Sequence, residues 1–341
     1  MSARHPIHAA AMARGECFLS ADVGGTHARI GLIQPSPANG QLQVLAYSKY
    51  RCADHSGLDE ILALFLHEAG RPRVHRGVIA SAGHALDDGR LIASNLPWPL
   101  IPEQMRHNLA LQSLHLVNDF EAVAYATPRM PASEVLHLCG PRNAQKDGPA
   151  LVIGPGTGLG AAVCIPSAQG EVVLATEAGQ ATLAAITDTE QAVVRELRRQ
   201  HAHVSIERVI SGPGLLTLYR TLCTLHAATA RCQTPSDVTT AALDHSDPLA
   251  HEALSVFAGL LGSVLGDMAL MYGIHRGIYL AGGFLPQIGA FIAASTFQER
   301  LLDRGGMRPA LEAIPVKVIE HGQLGVLGAA TWLLRHHGAH H

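Results

Sequence analysis

Two stretches of this chain share one design, and more than a hundred residues separate them. Phe18 to Ile33 (FLSADVGGTHARIGLI) and Ala150 to Ile165 (ALVIGPGTGLGAAVCI) each run apolar, break at clustered glycines and run apolar again. Beta-branched and aliphatic residues around a glycine turn predict a strand hairpin. Adjacent glycines let backbone N–H groups approach an anion without a Cβ in the way. In the first stretch these are Gly24 and Gly25, with the Thr26 hydroxyl beside them. In the second the glycines are not adjacent: Gly156 and Gly158 flank Thr157. Asp22 ends the first strand, where a carboxylate could hold Mg²⁺ through water. Such parts suit a metal–polyphosphate, although an ordinary hairpin with an edge Asp has the same pattern. Two such hairpins predict two related halves gripping one nucleotide.

Gly156 to Ala161 also satisfies the loose G-x-G-x-x-A dinucleotide pattern, which requires a following helix. Here Ala161 to Ile165 is short and beta-leaning and meets Pro166, so a strand is expected instead. No G-x-x-x-x-G-K-[ST] sequence occurs.

Further along, the chain alternates strand and helix signals, which predicts an α/β protein. Gln41 to Tyr47 and Gly77 to Ala82 are expected strands, and Leu58 to Ala69 has helical spacing closed by Gly70. Ser94-Asn95-Leu96-Pro97-Trp98 is a polar turn against a tryptophan. Pro102 to Leu109 is a helix opened by proline. His115 to Val117 is a strand that stops at Asn118-Asp119-Phe120, before a helix. That is where open α/β sheets bind ligands, and also where an Asp caps a helix. Pro128 to Pro149 is rich in proline, glycine and charge, and a domain boundary is placed near its start. Asp188 to Gln200 is expected to be an exposed helix. Glu207 heads the element that follows, and Gly212-Pro213-Gly214 is expected to break it.

The ordered motifs DVGGTHARIGL, SNLPW, VNDF, GPGTGLG, ERVISGPG and YLAGG resemble those of the bacterial glucokinase family, within the hexokinase and actin-like ATPase superfamily. The resemblance covers nearly the whole chain. It implies a two-domain actin-like or hexokinase-like ATPase fold with an interdomain cleft. The small domain would span 14–129, joined by a returning helix in 320–341, and the large domain 130–319. The implied reaction is transfer of the γ-phosphoryl of Mg·ATP to the 6-hydroxyl of glucose, with Asp119 as general base. ATP and Mg²⁺ are the implied cofactors. Nucleotide would be held by Asp22, Gly24, Gly25, Thr26, Gly156, Thr157, Gly158, Gly282 and Gly283, with Asp22 as the metal carboxylate. Sugar would be held by Asn95, Asn118, Asp119, Glu177, Gln180 and Glu207, since amides and carboxylates suit hydroxyls that both donate and accept.

One motif departs from the family. Its E-G-G-H is Glu177-Ala178-Gly179-Gln180 here. An amide replaces a ring that contacts sugar, and Ala178 would be strained if its φ were positive. A kinase for another hexose, or a catalytically weak sugar- or nucleotide-binding regulator, therefore stays open.

Composition narrows the partners. The 341 residues are enough for two domains with a sizeable core. With 25 basic and 28 acidic residues there is no polybasic footprint for nucleic acid. Six cysteines without C-x-x-C argue against a zinc or redox motif and fit a reducing cytosol, so a cytoplasmic protein is expected. The longest apolar run, Ala253 to Gly266, is too short to span a membrane and meets Asp267. The expected assembly is a homodimer.

Overall fold

The computed structural model describes residues 16–36, 41–82, 84–85, 91–92, 96–127, 130, 135–144, 147–168, 170–319 and 322–337. The chain divides into two compact units. One comprises Met1–Arg129 and His321–His341, the other Met130–Glu320.

In the first unit, β1 (Phe18–Val23), β2 (His27–Pro35) and β3 (Leu42–Arg51) form an antiparallel meander. Helix α1 (Leu58–Glu68) crosses to β4 (Arg76–Ser81), which lies parallel to β1. A small ribbon, β5 (His84–Ala85) with β6 (Leu91–Ile92), precedes helix α2 (Pro102–Asn108). Strand β7 (Ser113–Asn118) then adds parallel to β4, and α3 (Asp119–Ala126) follows. The sheet order is β3-β2-β1-β4-β7.

Both faces of this sheet are covered, which is why its central strands are almost continuously apolar. Leu19, Ala21, Val23 and Ile30 pack with Ile61, Leu62 and Phe65 of α1. Phe18, Val78, Ala80 and Val117 pack with Val326, Ala329, Ala330 and Leu333 of the chain's last helix (Leu324–His337). Side chains alternate along β1, so Ser20 and Asp22 share the face of Phe18. The buried Ser20 hydroxyl accordingly donates to the Val326 carbonyl at 2.7 Å.

The second unit opens with β8 (Val135–Cys139), in a stretch whose prolines and glycines hid it from the sequence. Next come β9 (Ala150–Pro155), β10 (Leu159–Ser167) and β11 (Gly170–Thr176) as a second antiparallel meander. Helices α4 (Asp188–Leu197), α5 (Gly212–Leu225), α6 (Pro235–Leu243) and α7 (Pro248–Met271) precede β12 (Gly277–Ala281), which is parallel to β9. After α8 (Leu285–Ala294), α9 (Phe297–Leu302) and α10 (Arg308–Glu312), β13 (Val316–Ile319) pairs parallel to β12 and antiparallel to β8. The last helix is α11. The order β11-β10-β9-β12-β13 repeats β3-β2-β1-β4-β7, and β8 is an addition at one edge. The two glycine stretches are the first hairpins of two copies of one topology. Strand β10 follows the second, so the dinucleotide pattern lacks its helix.

Three expectations need correction. Gly212-Pro213-Gly214 starts α5 rather than breaking an element. Proline sits in the first turn, where its missing N–H costs nothing, and Ser211 Oγ caps the Gly214 N–H at 2.9 Å. Glu207 lies in the turn before that helix and does not head one. The charged helix α4 is not wholly exposed. Glu190 is 2% exposed and takes both Arg300 guanidinium nitrogens, at 2.7 and 3.1 Å, as well as the Ile186 and Thr187 N–H groups. Burial opposes its ionisation, but these donors outweigh it and hold the carboxyl below its usual range. Helix α7 is long and apolar enough to cross a membrane, yet 72% of its apolar window is buried within the protein, so it is a core helix.

Helix α11 meets α3 at Gly328, where a Cβ would overlap the Ala122 backbone carbonyl. Backbone cannot move aside as a flexible side chain can, so Gly328→Ala should destabilise the protein by about 1–3 kcal/mol. Urea unfolding checks this, and an unchanged midpoint would show that the two helices have slack at this crossing.

Candidate active site

The parallel strands of the first unit end in register. Val23 pairs with Ser81, and Ser81 pairs with Asn118. The residues one step further on, Gly24 and Asp119, therefore leave the same edge of the sheet. They are two strand spacings apart, about 10 Å.

The loop after β1 is anchored from behind. Buried Cys52 donates its backbone N–H to the Thr26 carbonyl at 3.0 Å and its thiol to the Gly24 carbonyl at 3.3 Å. Among the described residues, the Gly25 and Thr26 N–H groups make no hydrogen bond. A Cβ at Gly24 would meet nothing nearer than the His27 carbonyl, at 3.9 Å. The loop thus commits its carbonyls inward and leaves donors and space on the other side, as an anion requires.

Asp22 stands across the hairpin from Arg29, whose guanidinium reaches its Oδ2 at 3.2 Å. Gly325, in the first turn of α11, presses on the same carboxyl. A Cβ there would come within 2.5 to 2.8 Å of Asp22 atoms. Burial raises the Asp22 pKa and Arg29 partly counters it. Neither partner was apparent in the sequence. Arg29 follows from the hairpin register, but nothing local points to Gly325.

At the end of β7, Asn118 caps α3, and its Oδ1 accepts from the Phe120 and Glu121 N–H groups at 2.9 and 3.0 Å. Asp119 is the first residue of the helix and is half-buried, and its Oδ1 accepts from the Phe120 N–H at 2.9 Å. The structural duty that a lone Asp would perform here falls to its neighbour. Asn118 in turn has its oxygen engaged, which leaves its amide donors for any ligand. Asn95 lies outside the described residues.

In the second unit, the turn of the second glycine stretch closes with Gly156 N–H donating to the Gly158 carbonyl at 2.8 Å. A Cβ at Gly156 would meet nothing within 4 Å, and the same holds at Gly283, after β12. Gly282 is different: a Cβ there would come 2.7 Å from the Pro155 carbonyl. Since β9 and β12 are adjacent and parallel, these turns occupy one edge of the sheet, the carboxyl edge. Thr157 is exposed at the tip.

Glu207 is seated against this turn. Its Oε2 accepts the Leu159 N–H at 2.8 Å, and its Oε1 accepts from Gln180 Nε2 at 3.0 Å. A Cβ at Gly158 would lie 2.5 Å from Oε2, so glycine is needed there to admit the carboxylate. The Glu207 N–H donates to the Gly179 carbonyl at 2.8 Å, which ties the two sequence motifs together by backbone as well. Glu207 is therefore a held carboxylate rather than a solvated one. Each oxygen keeps acceptor capacity for a hydroxyl. Residues 178–180 form a single 3-10 turn, with Glu177 and Gln180 exposed. The expected strain at Ala178 is not found, because it is not among the non-glycine residues with positive φ. Sequence reasoning also missed Leu159, whose contribution is a backbone N–H and so carries no residue signature.

The glucokinase family model matches residues 19–336. A glucokinase-like protein of Xylella fastidiosa (strain 9a5c) is 48% identical over 318 residues, covering 93% of this chain and 94% of that protein. A glucokinase of Paramagnetospirillum magneticum is 37% identical over 316 residues, covering 92% and 97%. The crystal structure of a glucokinase from an Antarctic psychrotroph superposes with a TM-score of 0.80 at 31% identity, covering 93% of this chain and 98% of that one. The repeated hairpin topology and the carboxyl-edge turns thus have a source: the chain belongs to the glucokinase family.

Proposed function

We propose that the protein transfers the γ-phosphoryl group of Mg·ATP to the 6-hydroxyl of glucose, with Asp119 as general base. The observation that carries this reading is the step at the end of β7: Asn118 is the helix cap and accepts two N–H groups, and the Asp119 carboxylate, which shares one of them, stands half-buried at the sheet's carboxyl edge. A sugar hydroxyl is a poor nucleophile that must lose its proton as the new bond forms. A positioned carboxylate supplies that step at about 10²–10⁴ in rate. Glu207, Glu177, Gln180 and the Asn118 amide are the sugar-holding groups, and Asn95 is assigned with them from the family motif.

Phosphoryl transfer otherwise needs positioning and charge neutralisation. The N–H groups of Gly25 and Thr26, the Thr26 and Thr157 hydroxyls, and the open approaches at Gly24, Gly156 and Gly283 suit that task, with Gly158 and Gly282 shaping the turns. Among the described residues no group of three or more His, Cys, Asp or Glu side chains could hold a metal ion. A single carboxylate beside the turn suits Mg²⁺ carried with the nucleotide, which uses one or two carboxylates beside water and phosphate oxygens. Asp22 is the carboxylate assigned to it. Bound this way, Mg²⁺ neutralises phosphate charge.

A second reading, a shifted sugar preference, is favoured by Gln180. Its amide is already donating to Glu207, and unlike imidazole it cannot become cationic.

Release of ADP from Mg·ATP should depend on glucose, and Asp119→Asn should lower kcat at least about 10²-fold while glucose still binds. Calorimetry and a coupled assay separate the two effects, and near-normal kcat in the variant removes Asp119 from the role. Gly156→Val should leave the melting temperature close to wild type, because the space is open, yet weaken ATP at least about tenfold. A variant that melts early with unchanged ATP affinity would make Gly156 a folding residue only. Gln180→His should lower the glucose KM by roughly 2- to 10-fold, the scale of one net hydrogen bond, whereas Ala178→Gly should change little. Equal KM values before and after Gln180→His would show that the amide has no weight in sugar choice.

A further inference from the structure

Helix α4 and the turn that follows it present one stripe of long side chains. Gln191, Arg195, Arg198 and Arg199 are spaced 4, 3 and 1 residues apart, which puts them on one face. With Val194 and Ala185 they line a surface depression of about 470 Å³. All three arginines are exposed. Arg199 is paired with Glu196 at 2.9 Å. Arg195 and Arg198 have no carboxylate within ion-pair distance among the described residues. Elsewhere in this unit Arg276, Arg300, Arg304 and Arg308 each have one, in Glu171, Glu190, Asp267 and Glu312, whereas Arg142, Arg208, Arg220 and Arg231 have none among the described residues.

What sets Arg195 and Arg198 apart is that they lie three residues apart and line one depression, in a chain with more acidic than basic residues. Like charges at i and i+4 repel on a helix, and Arg195 with Arg199 is such a pair. The helix macrodipole offsets part of that cost at a C-terminus, but it does not build a depression between the side chains. The walls divide by chemistry. Two unneutralised guanidinium groups offer planar, two-pronged donors to a phosphate, and Val194 and Ala185 offer an apolar surface beside them. The Gln191 amide is held in place by the Ile186 carbonyl at 3.3 Å.

We infer that this depression on α4 is a second ligand site, for a small phosphate monoester whose dianionic head lies between Arg195 and Arg198 and whose neutral body rests on Val194 and Ala185. Its volume falls in the range of small-molecule sites. None of the residues assigned to phosphoryl transfer or sugar binding lines it.

The test is calorimetric titration of the full chain with glucose 6-phosphate, and separately with inorganic phosphate, in the presence of saturating glucose and a non-hydrolysable ATP analogue. Saturable binding of glucose 6-phosphate is expected, weakened at least about tenfold in the double variant Arg195→Gln, Arg198→Gln. The corresponding lysine variant, which keeps charge but loses the fork, should fall between. Inorganic phosphate binding as tightly as the ester would overturn the placement of a body on Val194 and Ala185; weaker binding is expected. Thermal melting confirms that the variants fold, and their turnover without added phosphate should match wild type. Absence of saturable binding, or equal binding in wild type and the glutamine variant, overturns the inference. Because the readout is the arginine dependence of binding, it holds whether or not the chain phosphorylates glucose.

Discussion

Burial of the central strands constrains everything else in this molecule. In the first unit the strands are covered by helices on both faces, so their side chains are consumed by packing. Polar chemistry is left to the strand ends, where the chain turns and its backbone N–H groups run out of partners. The second unit has the same strand order and the same outcome. The glycine turns after β1, β9 and β12 and the Asn118-Asp119 step after β7 are all carboxyl-edge features. A fold that spends its strand side chains on the core leaves backbone donors exposed at its turns.

How much of this was legible in the sequence depended on the range of the interaction. The hairpins around Gly24 and Gly156, the strand before Asp119 and the crossing helix α1 follow from local periodicity, and they were found. Misjudged features had an ambiguous local signal. Gly212-Pro213-Gly214 has the residues of a breaker, but a proline in the first turn equally starts a helix, and Ser211 decides between them through its cap. Asn118 and Asp119 are both cap residues by type, and only geometry shows that Asn118 takes the role. Strand β8 is too short, and too hemmed by proline and glycine, to stand out.

Contacts between distant parts of the chain were beyond reach. Glu207 is fixed by a backbone N–H 48 residues away and by an amide 27 residues away. Asp22 is pressed by a glycine near the far end of the chain. Both carboxylates carry a signal in the sequence, but their surroundings change what they are. Glu207 is a fixed acceptor shared between two motifs. Asp22 is a charge held in a confined place, with Arg29 as its standing partner. Any cation drawn to this carboxylate would have to compete with a counter-ion already in place.

The placement of α11 has a consequence for how the protein is made. One face of the first sheet is sealed by Val326, Ala329, Ala330 and Leu333, which are synthesised after every residue of the second unit. During translation the second unit therefore has all of its strands and helices while the first still exposes Phe18, Val78 and Val117. The unit that emerges first from the ribosome is the one that must finish last. Until the final helix arrives, its nascent sheet presents an apolar surface of the kind that chaperones recognise.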